Sequence, residues 1–197
     1  MKTEEKRENT AAKLPKKTRS RIKIMHSAKV LFEKYGVDNV TFQMIADESD
    51  MCRTTVFNHF ANLSELLLAL NDQELDDISE YCESRELRGR DLIFGIYEKL
   101  IEDTSYYPGL TSTLVNNAIL AGDENNPVRK LEEMTVRALE EAGTEDPEDT
   151  ALLIEGAYYG LVNHTHVYNR EFDADELKDR FRKLADNILM KEVEKNG

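Results

Sequence analysis

Apolar residues along this chain recur every three or four positions and rarely alternate singly with polar ones, which is the period of half-buried helices rather than of strands. A first helix is expected over about residues 18–35, with Ile22, Met25, Ala28 and Phe32 on its inner stripe, flanked by Ile24, Leu31 and Tyr35. Gly36 suits its C-terminal cap. Thr41 is then an N-cap residue type, and Phe42, Ile45 and Ala46 share one face of a second, short helix that Asp50-Met51 breaks. A third helix is expected from near Cys52, with Val56, Phe57 and Phe60 turned inward and Arg53, Thr54, Thr55, Asn58 and His59 outward. Two short helices around a tight turn, with a basic helix before them, have the layout of a helix-turn-helix.

The pattern continues as helices to the end. Asn62 followed by Glu65 has capping-box spacing and starts a long fourth helix, expected to reach about Arg85 before Gly89 ends the stretch. Ile93, Tyr97, Leu100 and Ile101 share a face over residues 91–104. Pro108-Gly109 breaks the chain, and Leu110, Leu114, Asn117 and Ala118 share the next face. Residues 122–126 read as a turn. Pro127 and Pro147 each follow an Asn or Asp, the place at a helix start where the missing N–H costs nothing. Asp173 with Glu176 marks the start of the last helix. The expected fold is all-α, with about nine helices.

Composition narrows the setting. No apolar run approaches the roughly 18 residues of a membrane span. Two cysteines, Cys52 and Cys82, without a leader-like apolar segment, point to a reduced, cytoplasmic protein. The net charge of −13 conceals a division. Residues 1–60 hold twelve Lys or Arg against eight Asp or Glu, +4, and the remainder is −17. Within residues 13–35, eight cations face only Glu33. A basic run of this kind is either a solvated tail or the part of the molecule that meets phosphate. Its position, leading straight into the helical hairpin, favours the second. The acidic remainder is suited to solubility and to repulsion from DNA, and it leaves open a cationic effector.

An outward face of Arg, Thr, Asn and His has the donors and acceptors that base edges and phosphates require, although a plain helical hairpin can also carry a polar face. Cys52, at a helix start, either fills a small-residue position or is a thiol of lowered pKa whose oxidation would block that face. Gly156 and Gly160 lie inside a helix, where each loses about 1 kcal/mol relative to alanine. Close approach of a helix from a second copy is the preferred offset, and packing within one subunit is the other. Ile154, Tyr158, Val162 and Thr165 form the opposite face, and with Tyr97 and Asn117 they are either pocket wall or hydrogen-bonded core. His164 and His166, two positions apart, project about 200° from each other, which disfavours a shared metal. No phosphate-cradling glycine loop, nucleophile elbow or metal-spaced cluster is present in the sequence, so neither an enzyme nor a cofactor is expected. A helical interaction module or an enzyme without a DNA partner is the alternative, and the basic N-terminal third stands against it.

Over residues 18–67 the chain resembles TetR-type transcriptional regulators. The resemblance rests on the basic first helix, Tyr35-Gly36-Val37, Thr41 with Ile45-Ala46, and the runs RTTVFNHF and ANLSELL. Beyond residue 67 it rests only on helix number, helix length and acidic character. Ahead of it, residues 1–17, polar and without periodicity, are expected to form a mobile basic arm. The resemblance implies a three-helix DNA-binding domain at 18–62 and a helical domain at 63–197 that binds a small-molecule effector and dimerises through its last two long helices, where Gly156 and Gly160 are the candidate interface residues. It implies base contacts from Cys52, Arg53, Thr54 and Thr55, and phosphate contacts from Thr41 and His59. Asn58, on the outer face, and the cations Lys16, Lys17 and Arg19 complete the expected interface with an operator in double-stranded DNA. Phe57 stands in place of the usual tyrosine, Leu63 in place of a lysine, and Asp50 in place of the turn glycine. The first two remove phosphate donors, for which Lys16, Lys17 and Arg19 are expected to compensate. The third is tolerable because Asp accepts a left-handed conformation better than most residues.

Overall fold

The computed structural model describes residues 15–121 and 126–194, and every regular element among them is helical. The first fourteen residues of the expected arm, and most of the expected turn at 122–126, lie outside the described residues. The chain divides into two compact units, residues 1–70 and 71–197.

In the first unit, α1 runs Lys16–Tyr35, two residues earlier than its apolar pattern predicts. Pro15 is its N-cap residue and its carbonyl accepts the amide of Arg19, so Lys16 and Lys17 occupy the first helical turn and not an arm. Ile24, Met25, Ala28, Leu31 and Phe32 are buried, whereas Ile22 and Tyr35 at the ends of the expected stripe are exposed. Gly36, at φ +78°, takes the chain out of the helix where an L side chain would be strained. After a single turn at Val37–Asn39 come α2 (Phe42–Glu48), α3 (Arg53–His59) and the start of α4 (Leu63–Glu83). Asn62 Oδ1 accepts the amide of Glu65 at 2.9 Å, and the Glu65 carboxylate accepts from the amide of Ala61 at 2.7 Å. The capping box therefore closes one residue further back than the motif anticipates.

The second unit contains α5 (Gly89–Tyr106), α6 (Pro108–Ala121), α7 (Pro127–Glu141), α8 (Pro147–Val167) and α9 (Ala174–Glu194). Gly89 opens α5 at φ +52° instead of closing α4, which ends six residues earlier. Asn126 Oδ1 accepts the amide of Val128, and Asp173 Oδ1 those of Asp175 and Glu176, so two of the expected caps form with side chains. Helices α5, α7, α8 and α9 form a ring in which α5 and α8 each pack on both α7 and α9.

Tyr97 is the hub of that ring. Its ring stacks on Phe181 of α9 at 4.9 Å and tilts against Tyr158 of α8 at 5.9 Å, and its hydroxyl bonds Thr135 of α7 at 2.8 Å. Tyr158 in turn bonds Thr104 of α5 at 2.9 Å. On the outside, Arg90–Asp186, Glu98–Arg182 and Glu102–Lys178 step along α5 and α9 in opposite directions. Such exposed pairs contribute about 0–1 kcal/mol each, against roughly 1.5–3 kcal/mol for a fully buried apolar side chain. The packing carries the stability, and the ion pairs favour the antiparallel register.

One group in this core works against it. Glu155 of α8 is 6% exposed, and its Oε1 has no hydrogen-bond partner among the described residues. Burial, and then the charge of Glu132, push its carboxyl up to about 7. The folded chain thus holds a proton that the unfolded chain releases near 4.5. Stability is greatest below that value, falls as pH rises through about 7, and is flat above. Urea denaturation across this range is expected to show that decline, and Glu155→Gln to remove most of it, making the variant more stable at about pH 8 by on the order of 2 kcal/mol. An identical slope in the variant would refute the assignment.

Candidate nucleic-acid interface

The hairpin is built from side chains that bond their own backbone. Thr41 Oγ1 accepts the amide of Met44 at 3.3 Å and caps α2. At the other end, the buried Ser49 hydroxyl donates to the carbonyl of Ile45 at 2.6 Å, and Asp50 adopts φ +53°. The left-handed turn expected of Asp50 is thus made, and the amide of Met51 returns to the carbonyl of Ala46 at 2.9 Å. Cys52 is the N-cap residue of α3, and its Sγ lies 3.0 Å from Thr55 Oγ1. Hydrogen bonding to Thr55 pulls the exposed Cys52 thiol below its ordinary value, whereas burial pushes Cys82 up.

Val56 is fully buried and anchors α3, and the fully buried Phe60 follows its last turn. Arg53, Thr54 and Asn58 are exposed, and Thr55 and His59 half-buried. Phe57 departs from expectation, being 43% exposed and not part of the inward stripe. Its ring tilts against Phe42 of α2 at 4.9 Å, and the Arg53 guanidinium lies 5.2 Å above it. The position without a phenolic hydroxyl is therefore an outward apolar plate that holds Arg53.

Arg21 of α1 is the residue that sequence reasoning missed. It donates to the carbonyl of His59 at 3.2 Å and sits 4.3 Å over the Phe60 ring, tying α1 to the C-terminal end of α3. In the sequence it is one cation among eight, with no signal to separate it from Arg19 or Lys23. Lys17, Thr18, Arg21, Asn58 and His59 line an open cleft of about 230 Å³. Desolvation, then the charges of Arg21 and Lys17, lower the His59 pKa and so favour the neutral imidazole, which carries one N–H donor. Of the expected interface residues, Lys17, Asn58 and His59 are thereby brought together, while Lys16 and Arg19 stand exposed on α1 outside the cleft.

Among the residues singled out in the second unit, Tyr97, Tyr158 and Thr165 are buried, each with its hydroxyl bonded, Thr165 to the carbonyl of Leu161 at 3.0 Å. The Asn117 side chain lies outside the described residues. Gly156 and Gly160 are exposed, and a Cβ on either would meet nothing within 4 Å. Packing inside the chain does not account for them. They share a stripe of α8 with the exposed Leu152 and Val167, and Leu184 and Met190 are exposed on α9. His166 Nε2 lies 2.8 Å from Ser112 Oγ, while the His164 ring packs at 4.5 Å on Tyr168. Among the described residues no helix is long and apolar enough to cross a membrane.

The Arg21 clamp is testable directly. Arg21→Ala is expected to lower stability by about 1–2 kcal/mol and to speed amide exchange at the C-terminal end of α3 more than elsewhere. Uniform exchange along the first unit would show that the guanidinium fixes nothing in particular.

Residues 24–70, from within α1 to the early turns of α4, match the family model of bacterial regulatory proteins, tetR family. No curated protein sequence matches the chain. The fold is shared with solved regulators at low identity. A transcriptional regulator from Rhodococcus sp. Rha1 superposes with a TM-score of 0.70 at 16% identity, over 87% of this chain and 96% of the other. A TetR-like transcriptional regulator from Rhodococcus sp. RHA1 gives 0.66 at 18%, over 90% and 99%. SmeT, the repressor of the Stenotrophomonas maltophilia multidrug efflux pump SmeDEF, gives 0.63 at 23%, over 87% and 89%. Residues 24–70 thus carry the helix-turn-helix of the tetR family of bacterial regulatory proteins, and the chain shares its fold with solved TetR-like regulators.

Proposed function

We propose that this transcriptional regulator is a cytoplasmic repressor that binds a palindromic operator as a homodimer and is released by a small-molecule effector held in the helical body. The observation that carries the reading is the presentation of α3. Its base is sealed by Val56, its end is clamped by Arg21, and its first turn offers Arg53 and Thr54 to solvent beside Cys52 and the half-buried Thr55. Arg53 and the Thr hydroxyls suit base edges, and the cationic cleft of Lys17, Arg21, Asn58 and His59 suits a backbone phosphate, with Lys16 and Arg19 adding charge. Thr41, at the start of α2, is the second phosphate position. The boundaries that go with this reading are an interface within residues 1–62 and an effector and dimerisation domain from residue 63 on.

Two copies would set their α3 helices about 34–36 Å apart, one turn of duplex, in successive major grooves. The contact between copies is assigned to the α8 and α9 faces where Gly156 and Gly160 leave open space beside exposed leucines. An effector that favours a different spacing would lower operator affinity through a coupling of about 1–3 kcal/mol. SmeT is a repressor tied to multidrug efflux, which supports this direction of control.

Palindromes selected from a random duplex pool, compared with unselected duplex by fluorescence anisotropy at two salt concentrations, test the DNA reading. Because each substitution removes two side chains from the dimer, Arg53→Ala is expected to weaken the selected palindrome by about 2–6 kcal/mol with little effect on random duplex, and Lys17→Ala to weaken both and reduce the salt slope by about 2. No binding to any duplex at low salt would sink the proposal.

Dimerisation has a separate test. Gly160→Leu is expected to leave the chain helical and to shift it toward monomer in sedimentation, weakening operator binding by roughly tenfold or more. Gly160→Ala is expected to raise helix stability by up to about 1 kcal/mol if no second helix occupies the space. A Leu variant that sediments as the wild type does would move the interface elsewhere.

A further inference from the structure

Glu155 is the one strongly buried carboxylate in the body that nothing among the described residues satisfies, and its surroundings do not explain it as structure. The two deepest hydroxyls nearby are engaged elsewhere, Tyr97 donating to Thr135, whose own proton goes to the Leu131 carbonyl, and Tyr158 bonded to Thr104. The buried ammonium of α5, Lys99, is bound to Asp103. Glu132 on α7 adds a second negative charge, one helical turn from the Thr135 that bonds Tyr97. The junction of α5, α7 and α8 is thus electronegative, and Tyr97 and Tyr159 lie within electrostatic reach of Glu155. Tyr158 and Tyr159 lie 5.1 Å apart and Tyr97 5.9 Å from Tyr158. Tyr159 and Glu132 are only half-buried, so the junction has an edge on solvent.

A sealed carboxylate of this kind costs free energy unless a cation or a donor meets it. Ring faces beside it add attraction for an organic cation that they do not offer to an anion. We propose that Glu155, with Glu132 and the rings of Tyr97 and Tyr159 near it, is the charge-reading element of the effector site, and that the effector is an organic cation. This rests on the reading of the chain as an effector-responsive regulator. The carboxyl, held near half-protonation at neutral pH by burial and Glu132, also gives the site a signature. A bound cation favours the carboxylate, so binding releases a proton.

Calorimetry on the full chain without DNA, with tetraphenylphosphonium, benzyltrimethylammonium and benzylamine as probes and neutral triphenylphosphine oxide and benzyl alcohol as controls, tests this. At least one cation is expected to bind and the neutral controls not to bind. That cation should bind Glu155→Gln roughly tenfold or more weakly, the range for truncating one partner of a buried charge pair. Enthalpies in two buffers near pH 7 should show release of up to roughly half a proton from the wild type and none from the variant, whose fold is checked by circular dichroism. Failure of all three cations to bind at millimolar concentration, equal binding by the variant, or binding without proton release would each overturn the inference. Duplex binding by the unliganded wild type, measured in parallel, separates these outcomes from failure of the regulator reading.

Discussion

Helices α2 and α3 are seven residues each, well under the roughly 12–15 that an isolated helix needs to persist in water. They exist because Ile45, Ala46 and Val56 are sealed in the interior that α1 lines with Ile24, Ala28 and Phe32. The exposed face of α3 is positioned only as well as that interior is packed. Arg21 extends the constraint from one face of α3 to its end, since its guanidinium meets a carbonyl left over by the last turn and the ring that follows it. A seven-residue helix with one buried valine would otherwise have a single fixed point.

The two units solve different physical problems. The first must keep polar and cationic groups outward on very short helices, and it does so with backbone-directed hydroxyls: Thr41 at a helix start, Ser49 at a helix end. The second has long helices and an aromatic core in which hydroxyls pair across helices, Tyr97 with Thr135 and Tyr158 with Thr104. Net charge is divided in a similar way, +4 over residues 1–60 and −17 over the remainder. A core that satisfies its tyrosines and leaves a glutamate unsatisfied has a local defect, not a generally loose interior.

Much of this was legible in the sequence because local chemistry dictated it. The Thr41 and Asn126 caps, the left-handed Asp50, and the prolines opening α7 and α8 depend on a residue and its immediate neighbours, and each was found where expected. What failed depended on distant partners. Two turns of helix leave both faces of an aromatic available, and Phe42 from another helix drew Phe57 outward. Ile22 and Tyr35 obeyed the period of α1 yet fell where its burial had ended. Gly89 could equally close one helix or open the next, and Arg21 and Glu155 acquire their character only from groups far along the chain. Pattern reports that a face is apolar, and long-range packing decides which residues of that face are covered.

The first turn of α1 has a consequence of its own. Lys16, Lys17 and Arg19 crowd a helix start that has no acidic residue and no side-chain cap. The aligned peptide dipoles already place partial positive charge there, so each cation is unfavourable by about 0.3–1 kcal/mol. An anion lying across this end relieves the dipole and the side chains together. Helicity of the turn and occupancy by phosphate are then one linked equilibrium, and part of any affinity measured for phosphate is order gained within the protein itself.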